Sequence, residues 1–234
     1  MNHHIGICDN FILKQDCEAV INYYNEQVNF GRAYQRLQSE KTSLNEKQDT
    51  AVNVNGWVED FKVLFANFDI ALKRYIDNTA LDKYYGNFRY VPFKIQKTLP
   101  GEGYHIWHLE HGARKDNANR VIVYSLYLND VEEGGGTRFS KLNISIEAKK
   151  GRMLIFQNVY KNTNIRHELS EHCGMPVVKG YKYAFNLWFR ECSGQYSKFN
   201  PDYYNKHNEI INEPTCKGMY NKIINGPITE LAYN

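Results

Sequence analysis

The residue types best suited to chemistry are concentrated between residues 104 and 111, where three histidines lie close to one glutamate. Side chains alternate between two faces in an extended strand, so His108 and Glu110 would point to the same side. An imidazole and a carboxylate side by side can take two positions on one metal ion. A distant second histidine would complete a set that binds Fe(II) and leaves three positions open, enough for a chelating 2-oxo acid and O2.

This histidine–x–glutamate spacing also fits simpler interpretations, such as a surface pair or a satisfied core group. The third ligand could be either His167 or His172, because the spacing from His108 does not choose between them. A zinc protease would require HExxH or HxxEH on a helix, and neither spacing occurs. A closed structural zinc site would require more thiolates, and the cysteines lie elsewhere.

The segments that would position these residues change in character near residue 87. From there, short runs rich in β-branched and aromatic residues alternate with Gly-rich turns, without intervening helical patterns. This texture predicts a mainly β fold with flanking helices, built on an antiparallel barrel or jelly roll. The predicted strands are Phe88–Thr98, Tyr104–Glu110, Val121–Leu128, Thr137–Phe139, Ile144–Glu147, Met153–Phe156, Ile165–Leu169 and Tyr181–Phe189.

Helical periodicity is strongest in the N-terminal part, where apolar residues recur every 3.6 positions over residues 16–28 and 57–75. The polar stretch 30–56 between them predicts a loop or lid, and residues 201–211 of the tail resemble a short helix. We predict a single domain over residues 1–234. Its parts are N-terminal helical support over 1–86, the β core over 87–192 and a C-terminal extension over 193–234.

Composition narrows the classes of function. The 234 residues are 42% hydrophobic, enough for one sizeable core. The net charge of +3, from 29 basic and 26 acidic residues, gives no strong attraction to nucleic acid or anionic membranes. No apolar run reaches the roughly 18 residues that cross a bilayer, and the first residues lack a secretion-signal pattern. Five dispersed cysteines without a CxxC pair favour reduced thiols, so we expect a cytoplasmic protein without a nucleic-acid or membrane partner.

Four motifs follow one another between residues 96 and 191. They are His108-Leu109-Glu110, an HxD-type pair; RVIVYSLYLN at 120–129, an R…YLN strand; VEEGGGT at 131–137, a GGxT turn; and His172 followed by Pro176-Val177, Gly180 and Lys182, an H…PV..G.K signature. This ordered set resembles the 2-oxoglutarate/Fe(II)-dependent dioxygenases, specifically their prolyl 4-hydroxylase-like branch.

The resemblance implies a double-stranded β-helix (jelly-roll) core that uses Fe(II), 2-oxoglutarate and O2, with ascorbate as a further cofactor. It implies that His108, Glu110 and His172 are the iron ligands. Lys182 would pair with the distal carboxylate of 2-oxoglutarate, since a dianionic acid in a narrow barrel requires a buried cation. The remaining implied site residues are Tyr127 and Trp188 beside the cosubstrate, and Arg120 and Arg190 on the substrate side.

Three positions depart from the family pattern. Glu110 stands where aspartate is usual, and its extra methylene moves the carboxylate by about 1.5 Å. The segment around Leu99 lacks a tyrosine that some relatives use for the cosubstrate, and Arg190 stands where a histidine is frequent.

The sequence therefore predicts a dioxygenase that hydroxylates an unidentified peptide, protein or small molecule and releases succinate and CO2. A peptidyl proline is one candidate substrate. The alternatives are a cupin-like metal enzyme that uses no 2-oxoglutarate, such as an isomerase, and a non-catalytic binding module on the same fold.

Overall fold

A computed structural model describes residues 4–35, 47–54, 58–79, 88–90, 93–111, 120–160, 166–191 and 229–230. The helices are α1 (Lys14–Asn29) and α2 (Lys62–Thr79), with 3-10 turns at Glu59–Phe61 and Glu168–Ser170. The strands are β1 (Ile5–Cys8), β2 (Tyr34–Gln35), β3 (Lys47–Gln48), β4 (Thr50–Val54), β5 (Phe88–Tyr90), β6 (Phe93–Thr98), β7 (Gly103–Tyr104), β8 (Arg120–Tyr127), β9 (Glu133–Gly134), β10 (Thr137–Phe139), β11 (Ile144–Ile146), β12 (Met153–Gln157), β13 (His172–Gly174), β14 (Val177–Lys179), β15 (Lys182–Glu191) and β16 (Thr229–Glu230).

Nine of these strands form the main sheet, in the order β16-β1-β12-β8-β15-β6-β4-β2, with β5 also paired to β15. Every pairing in it is antiparallel. The two central strands, β8 and β15, share a long ladder that runs from Ala184 opposite Tyr127 to Phe189 opposite Ile122. Both faces of β8 are largely buried, which explains why its sequence is mostly apolar rather than alternating.

A smaller sheet of β11, β10 and β13 packs against the main sheet. The ring of Phe139 on β10 meets the ring of Phe156 on β12 edge-on, with 5.2 Å between centroids. Val123, Tyr127 and Trp188 from the main sheet belong to the same buried cluster. A core therefore lies between two sheets, and β13 carries His172 to its edge.

The two helices cover the other face of the main sheet and form a second, larger core with it. Phe68 of α2 is fully buried; its ring stacks on Phe185 at 5.7 Å and meets Tyr124 edge-on at 5.1 Å. Burial of one such side chain contributes about 1.5–3 kcal/mol. The apolar stripes of the helices thus support the strands that carry the cavity described below. Within the described residues, no helix is long and apolar enough to cross a membrane.

Several predicted boundaries are confirmed. The strands expected at Val121–Leu128, Thr137–Phe139 and Met153–Phe156 are present within a residue or so at each end. The first predicted helix, residues 16–28, corresponds to α1. The second, predicted from residue 57, begins as a 3-10 turn and continues as α2 to Thr79.

Other predictions are wrong. Within Ile165–Leu169, Arg166 forms an isolated bridge and a 3-10 turn begins at Glu168. The strand expected at Tyr104–Glu110 reduces to β7 and a bridge at His108. The predicted loop 30–56 contains β4, whose residues Ala51, Val52 and Val54 are buried in the main sheet beside β6. The helix predicted at 201–211 lies outside the described residues.

Candidate metal centre and adjoining cavity

Two histidines that are distant in the sequence are joined through their backbones. The His108 N–H donates to the His172 carbonyl at 2.9 Å, and the His172 N–H donates to the His108 carbonyl at 3.0 Å. Their rings lie 4.3 Å apart between centroids. This pairing places both imidazoles at the same end of the inter-sheet core.

A further hydrogen bond orients each of these imidazoles. Nδ1 of His108 lies 2.9 Å from the carbonyl oxygen of Ile106, and Nδ1 of His172 lies 2.8 Å from that of Ser170. A carbonyl oxygen only accepts, so each Nδ1 carries the proton and each Nε2 keeps its lone pair. Metal-binding histidines are commonly fixed in this way, with the second nitrogen held by a carbonyl or carboxylate.

The carboxylate of Glu110 completes the cluster. Its Oε1 lies 3.6 Å from Nε2 of His108, and its Oε2 accepts a hydrogen bond from Nη1 of Arg120 at 2.9 Å. One potential ligand atom from each of His108, Glu110 and His172 lies within 4.8 Å of the other two. Across the described part of the chain, no other group of three such side chains comes this close.

The charge states of the cluster suit a divalent cation. Burial raises the pKa of Glu110, but the nearby His108 and the charge of Arg120 outweigh burial and hold this pKa well below 4.5. Burial, followed by the proximity of His108, lowers the pKa of His172 to about 3. At neutral pH the carboxylate is therefore ionised and His172 is neutral, the forms that bind metals. Two imidazoles and one carboxylate are the donor set of non-haem Fe(II) sites, so the residues present fit that ion.

His167, the other candidate for third ligand, lies elsewhere. Its ring is stacked between those of His4, at 3.9 Å, and Tyr160, at 4.4 Å. Its backbone N–H donates to the Asn158 carbonyl, and its side chain is not part of the cluster. The structure thus brings His172, rather than His167, to His108 and Glu110.

The cluster opens onto a cavity whose wall is the inner face of the main sheet. Alternate residues of β15 and β8 point into the cavity, as expected for one face of a strand. The lining includes Lys182, Ala184, Asn186 and Trp188 from β15; Val123, Ser125 and Tyr127 from β8; Gln96 and Thr98 from β6; and Leu154 and Phe156 from β12.

Lys182 and Tyr127 lie on this wall next to the Gly-rich turn. Nζ of Lys182 donates to the Gly135 carbonyl at 2.9 Å. The Tyr127 hydroxyl shares a 2.6 Å hydrogen bond with Oγ1 of Thr137. Burial raises the pKa of Tyr127 to about 12, so its hydroxyl stays protonated at neutral pH. The cavity thus holds a metal-ligand set together with an ammonium group and a phenol.

Comparison with known proteins identifies this arrangement. The family model described as the 2OG-Fe(II) oxygenase superfamily matches residues 93–190, which include the cluster and Lys182. Residues 93–190 therefore resemble the members of this superfamily. The sequence-based recognition of the family is thereby confirmed.

Two relatives of this chain have prolyl 4-hydroxylase in their names. One, from Acanthamoeba polyphaga mimivirus, is 42% identical over 72 residues, which is 31% of this chain and 30% of that protein. The other, from Arabidopsis thaliana, is 24% identical over 199 residues, 78% of this chain and 67% of that protein. The matched region therefore spans less than a third of the mimivirus protein.

A solved structure has the same fold as this chain. The viral collagen prolyl hydroxylase from Paramecium Bursaria Chlorella virus-1, in its 2OG complex, superposes with a TM-score of 0.64 at 18% identity, covering 81% of this chain and 97% of that one. The predicted double-stranded β-helix (jelly-roll) core with flanking helices is confirmed.

Arg120 and Trp188, which the resemblance placed beside bound ligands, also contact each other, and Arg120 contacts the cluster. Arg120, expected on the substrate side, hydrogen-bonds to Glu110. Trp188, expected beside the cosubstrate, lines the cavity and also lies under Arg120, whose Cζ is 4.5 Å from the indole centroid. The side chain of Arg190 lies outside the described residues, although its backbone pairs with that of Arg120.

Sequence reasoning missed several residues around the centre. The Tyr104 ring stacks on the His108 ring at 3.8 Å, and Nζ of Lys47 lies 4.0 Å from the Tyr104 centroid. Buried Asp49 also lines the cavity. Tyr104 stands four residues before His108, which was a usable signal. Lys47 reaches Tyr104 through the pairing of β3 with β7, and Asp49 lies between β3 and β4. No local sequence pattern predicts either position.

Proposed function

We propose that this chain is an Fe(II)- and 2-oxoglutarate-dependent dioxygenase that hydroxylates its substrate and releases succinate and CO2. The observation that carries the proposal is that the His108, Glu110 and His172 cluster and the Lys182 ammonium group line one cavity. A metal-ligand set alone would suit many metalloenzymes. An ammonium group in the same cavity suits an acid that also chelates the metal.

In this proposal the three clustered residues hold Fe(II), and Lys182 binds the distal carboxylate of 2-oxoglutarate. The Tyr127 hydroxyl, fixed by Thr137, is a second donor toward that carboxylate. Bound Fe(II) would supply the activation of O2 that is coupled to decarboxylation of the 2-oxo acid. The apolar residues between these groups, among them Leu154 and Phe156, limit the entry of water around the reacting atoms.

For the substrate, we propose a peptide or protein, with a peptidyl proline as the first candidate. The names of the relatives and of the structural neighbour given above support this choice. Arg190 argues for testing other peptides as well, because it stands where a histidine is frequent in the family. A small-molecule substrate is the competing outcome of a substrate screen.

We also infer a cytoplasmic location. Cys17 and Cys173 are buried free thiols. Burial raises the pKa of Cys17 to about 11, so this thiol is unreactive at neutral pH. Buried free cysteines are typical of proteins that fold in a reducing compartment.

The direct test is succinate formation. Protein loaded anaerobically with Fe(II) is mixed with 2-oxoglutarate, O2 and peptide or metabolite panels, with ascorbate present as a reductant. We expect succinate in the presence of an accepted substrate and little with Lys182→Met. Lys179→Met is the matched control, since that lysine is exposed and pairs with Glu132 on the surface.

Thermal stability separates this function from a cupin-like enzyme that uses no 2-oxo acid. A ligand that binds only the folded state raises the melting temperature. We expect 2-oxoglutarate to stabilise the metal-loaded protein but not Lys182→Met. Stabilisation by metal alone, with no effect of 2-oxoglutarate, would contradict the proposal and favour the cupin-like alternative.

A further inference from the structure

We propose that Arg120 is a positioning residue that restricts Glu110 to presenting a single oxygen to the metal, so that a coordination position stays open for 2-oxoglutarate. This inference rests on the metal centre of the proposed function. It concerns how the longer carboxylate ligand is accommodated.

The geometry divides the two oxygens of Glu110 between different partners. Oε2 accepts from Nη1 of Arg120 at 2.9 Å, whereas Oε1 faces Nε2 of His108 at 3.6 Å. Only about 18% of the Glu110 side chain is exposed, and 17% of the Arg120 side chain. A charge-assisted hydrogen bond at this depth is short and directional, so it selects one orientation of the carboxylate.

Arg120 is itself held by packing. Its Cζ lies 4.5 Å from the centroid of the Trp188 ring, which is 5% exposed. A planar guanidinium stacks well on an indole face, and such contacts favour arginine over lysine. Its carbonyl also accepts a hydrogen bond from Asn158 Nδ2 at 3.4 Å. Stacking on Trp188 thus holds the guanidinium beside Glu110 and away from open solvent.

A glutamate needs such a restraint more than an aspartate does, because its extra torsion lets the carboxylate turn. A carboxylate can bind a cation through one oxygen or through both, as the bidentate glutamate of calcium sites shows. Bidentate binding here would take one of the three positions that a two-histidine, one-carboxylate set leaves open. By engaging Oε2, Arg120 leaves only Oε1 for the metal.

The test counts the water molecules on a bound ion, which does not depend on turnover. Mn(II)-loaded protein is studied by water-proton relaxation, together with the affinities for Mn(II) and for 2-oxoglutarate. In Arg120→Met, which keeps an apolar contact with Trp188, we expect Mn(II)-bound water to fall by about a third. Mn(II) affinity should stay equal or increase, while 2-oxoglutarate affinity falls about tenfold, a change of about 1.4 kcal/mol.

Two further variants keep the result interpretable. Arg120→Lys retains the charge with a single-point contact, so we expect it to fall between wild type and Arg120→Met. Arg152→Met removes a different arginine–carboxylate pair, with Asp9, outside the metal-ligand cluster, and should leave the water count unchanged. These three arms separate the loss of the restraint from general effects of losing an ion pair.

One result would contradict the proposal. If Arg120→Met weakens Mn(II) binding while the water count per bound ion stays at the wild-type value, Arg120 only supports the fold or the charge of Glu110, and the proposal is wrong. Failure of the proposed function looks different, since wild-type protein would then bind Mn(II) with the expected waters but show no affinity for 2-oxoglutarate.

Discussion

His108 and His172 donate backbone hydrogen bonds to each other in both directions, although they lie in distant parts of the chain. The separation of the two imidazoles is therefore set by main-chain pairing rather than by side-chain packing alone. The proposed metal centre would therefore be largely preformed before an ion binds, which would lower the cost of ordering its ligands.

The first prediction concerns the identity of the third ligand. His172→Ala should weaken Fe(II) or Co(II) binding by more than the roughly 10–100-fold that loss of an outer-shell partner costs. Isothermal titration under anaerobic conditions measures this change. His167→Ala is the matched control, because it removes a buried histidine that lies outside the cluster. Normal affinity in His172→Ala together with loss in His167→Ala would show that the cluster is not the metal site.

The second prediction concerns Tyr104, which stacks on His108 at 3.8 Å. Removing the ring in Tyr104→Ala should weaken metal binding, because a stacked pair contributes about 0.5–1.5 kcal/mol to the orientation of the imidazole. Tyr104→Phe keeps the ring and should bind metal like the wild type. The visible spectrum of the Co(II)-loaded proteins compares the environment of the ion in the three forms. Equal losses in both variants would assign the effect to the hydroxyl and not to stacking.

The third prediction concerns pH. In the folded, metal-free protein the pKa of His172 is about 3, whereas an unfolded histidine titrates near 6.5. Between these values the unfolded chain binds one proton more than the folded chain, so the free energy of unfolding rises with pH in this window. His172 therefore contributes stability above pH 6.5 that is lost as the pH falls.

Urea unfolding of chelator-treated protein between pH 5 and 7 tests this effect. Well below pH 6.5, the slope due to His172 should approach about 1.4 kcal/mol per pH unit. The glutamine in His172→Gln cannot be protonated in this range. The slope of its unfolding free energy against pH should therefore be smaller by the contribution of about one proton. Identical slopes in the two proteins would mean that His172 takes up its proton in the folded state.

The fourth prediction concerns the contact between α2 and the main sheet. Phe68 is fully buried between Phe185 and Tyr124, so Phe68→Ala should lower the free energy of unfolding by about 3–5 kcal/mol. Phe30→Ala, at a position that is 68% exposed, should change it little. Equal effects of the two substitutions in urea unfolding would show that α2 is not an integral part of this core.

Much of the fold could be predicted because its strands have strong local signals. The run from Val121 to Leu128 is apolar except at Ser125, and its strand is nearly where the pattern predicts it. The structure of the segment around His108 was harder to predict. Alternation suggested that His108 and Glu110 share one face, and their donor atoms do approach each other, yet the segment is irregular apart from one bridge. Contacts with partners elsewhere in the chain, including those of Arg120, could not be predicted because they depend on tertiary pairing.

The strand β4 also could not be predicted, because it too depends on tertiary pairing. Residues 50–54 lie in a polar stretch, and only Ala51, Val52 and Val54 mark the strand. Its stability comes from pairing with β6 and from burial against the main core, neither of which is visible in a short sequence window. The same insertion into the sheet carries Asp49 to the cavity wall.

The pairing of β1 with β12 and of β4 with β6 has a practical consequence. The segment that is shared with the family, residues 93–190, is smaller than the unit that folds. A fragment limited to that segment would expose the edges of β12 and β6, together with the apolar surface that α1 and α2 cover. Unpaired strand edges can pair with other chains, so such a fragment should aggregate on expression. A fragment that keeps the preceding segment, with β1, β4 and both helices, should remain soluble.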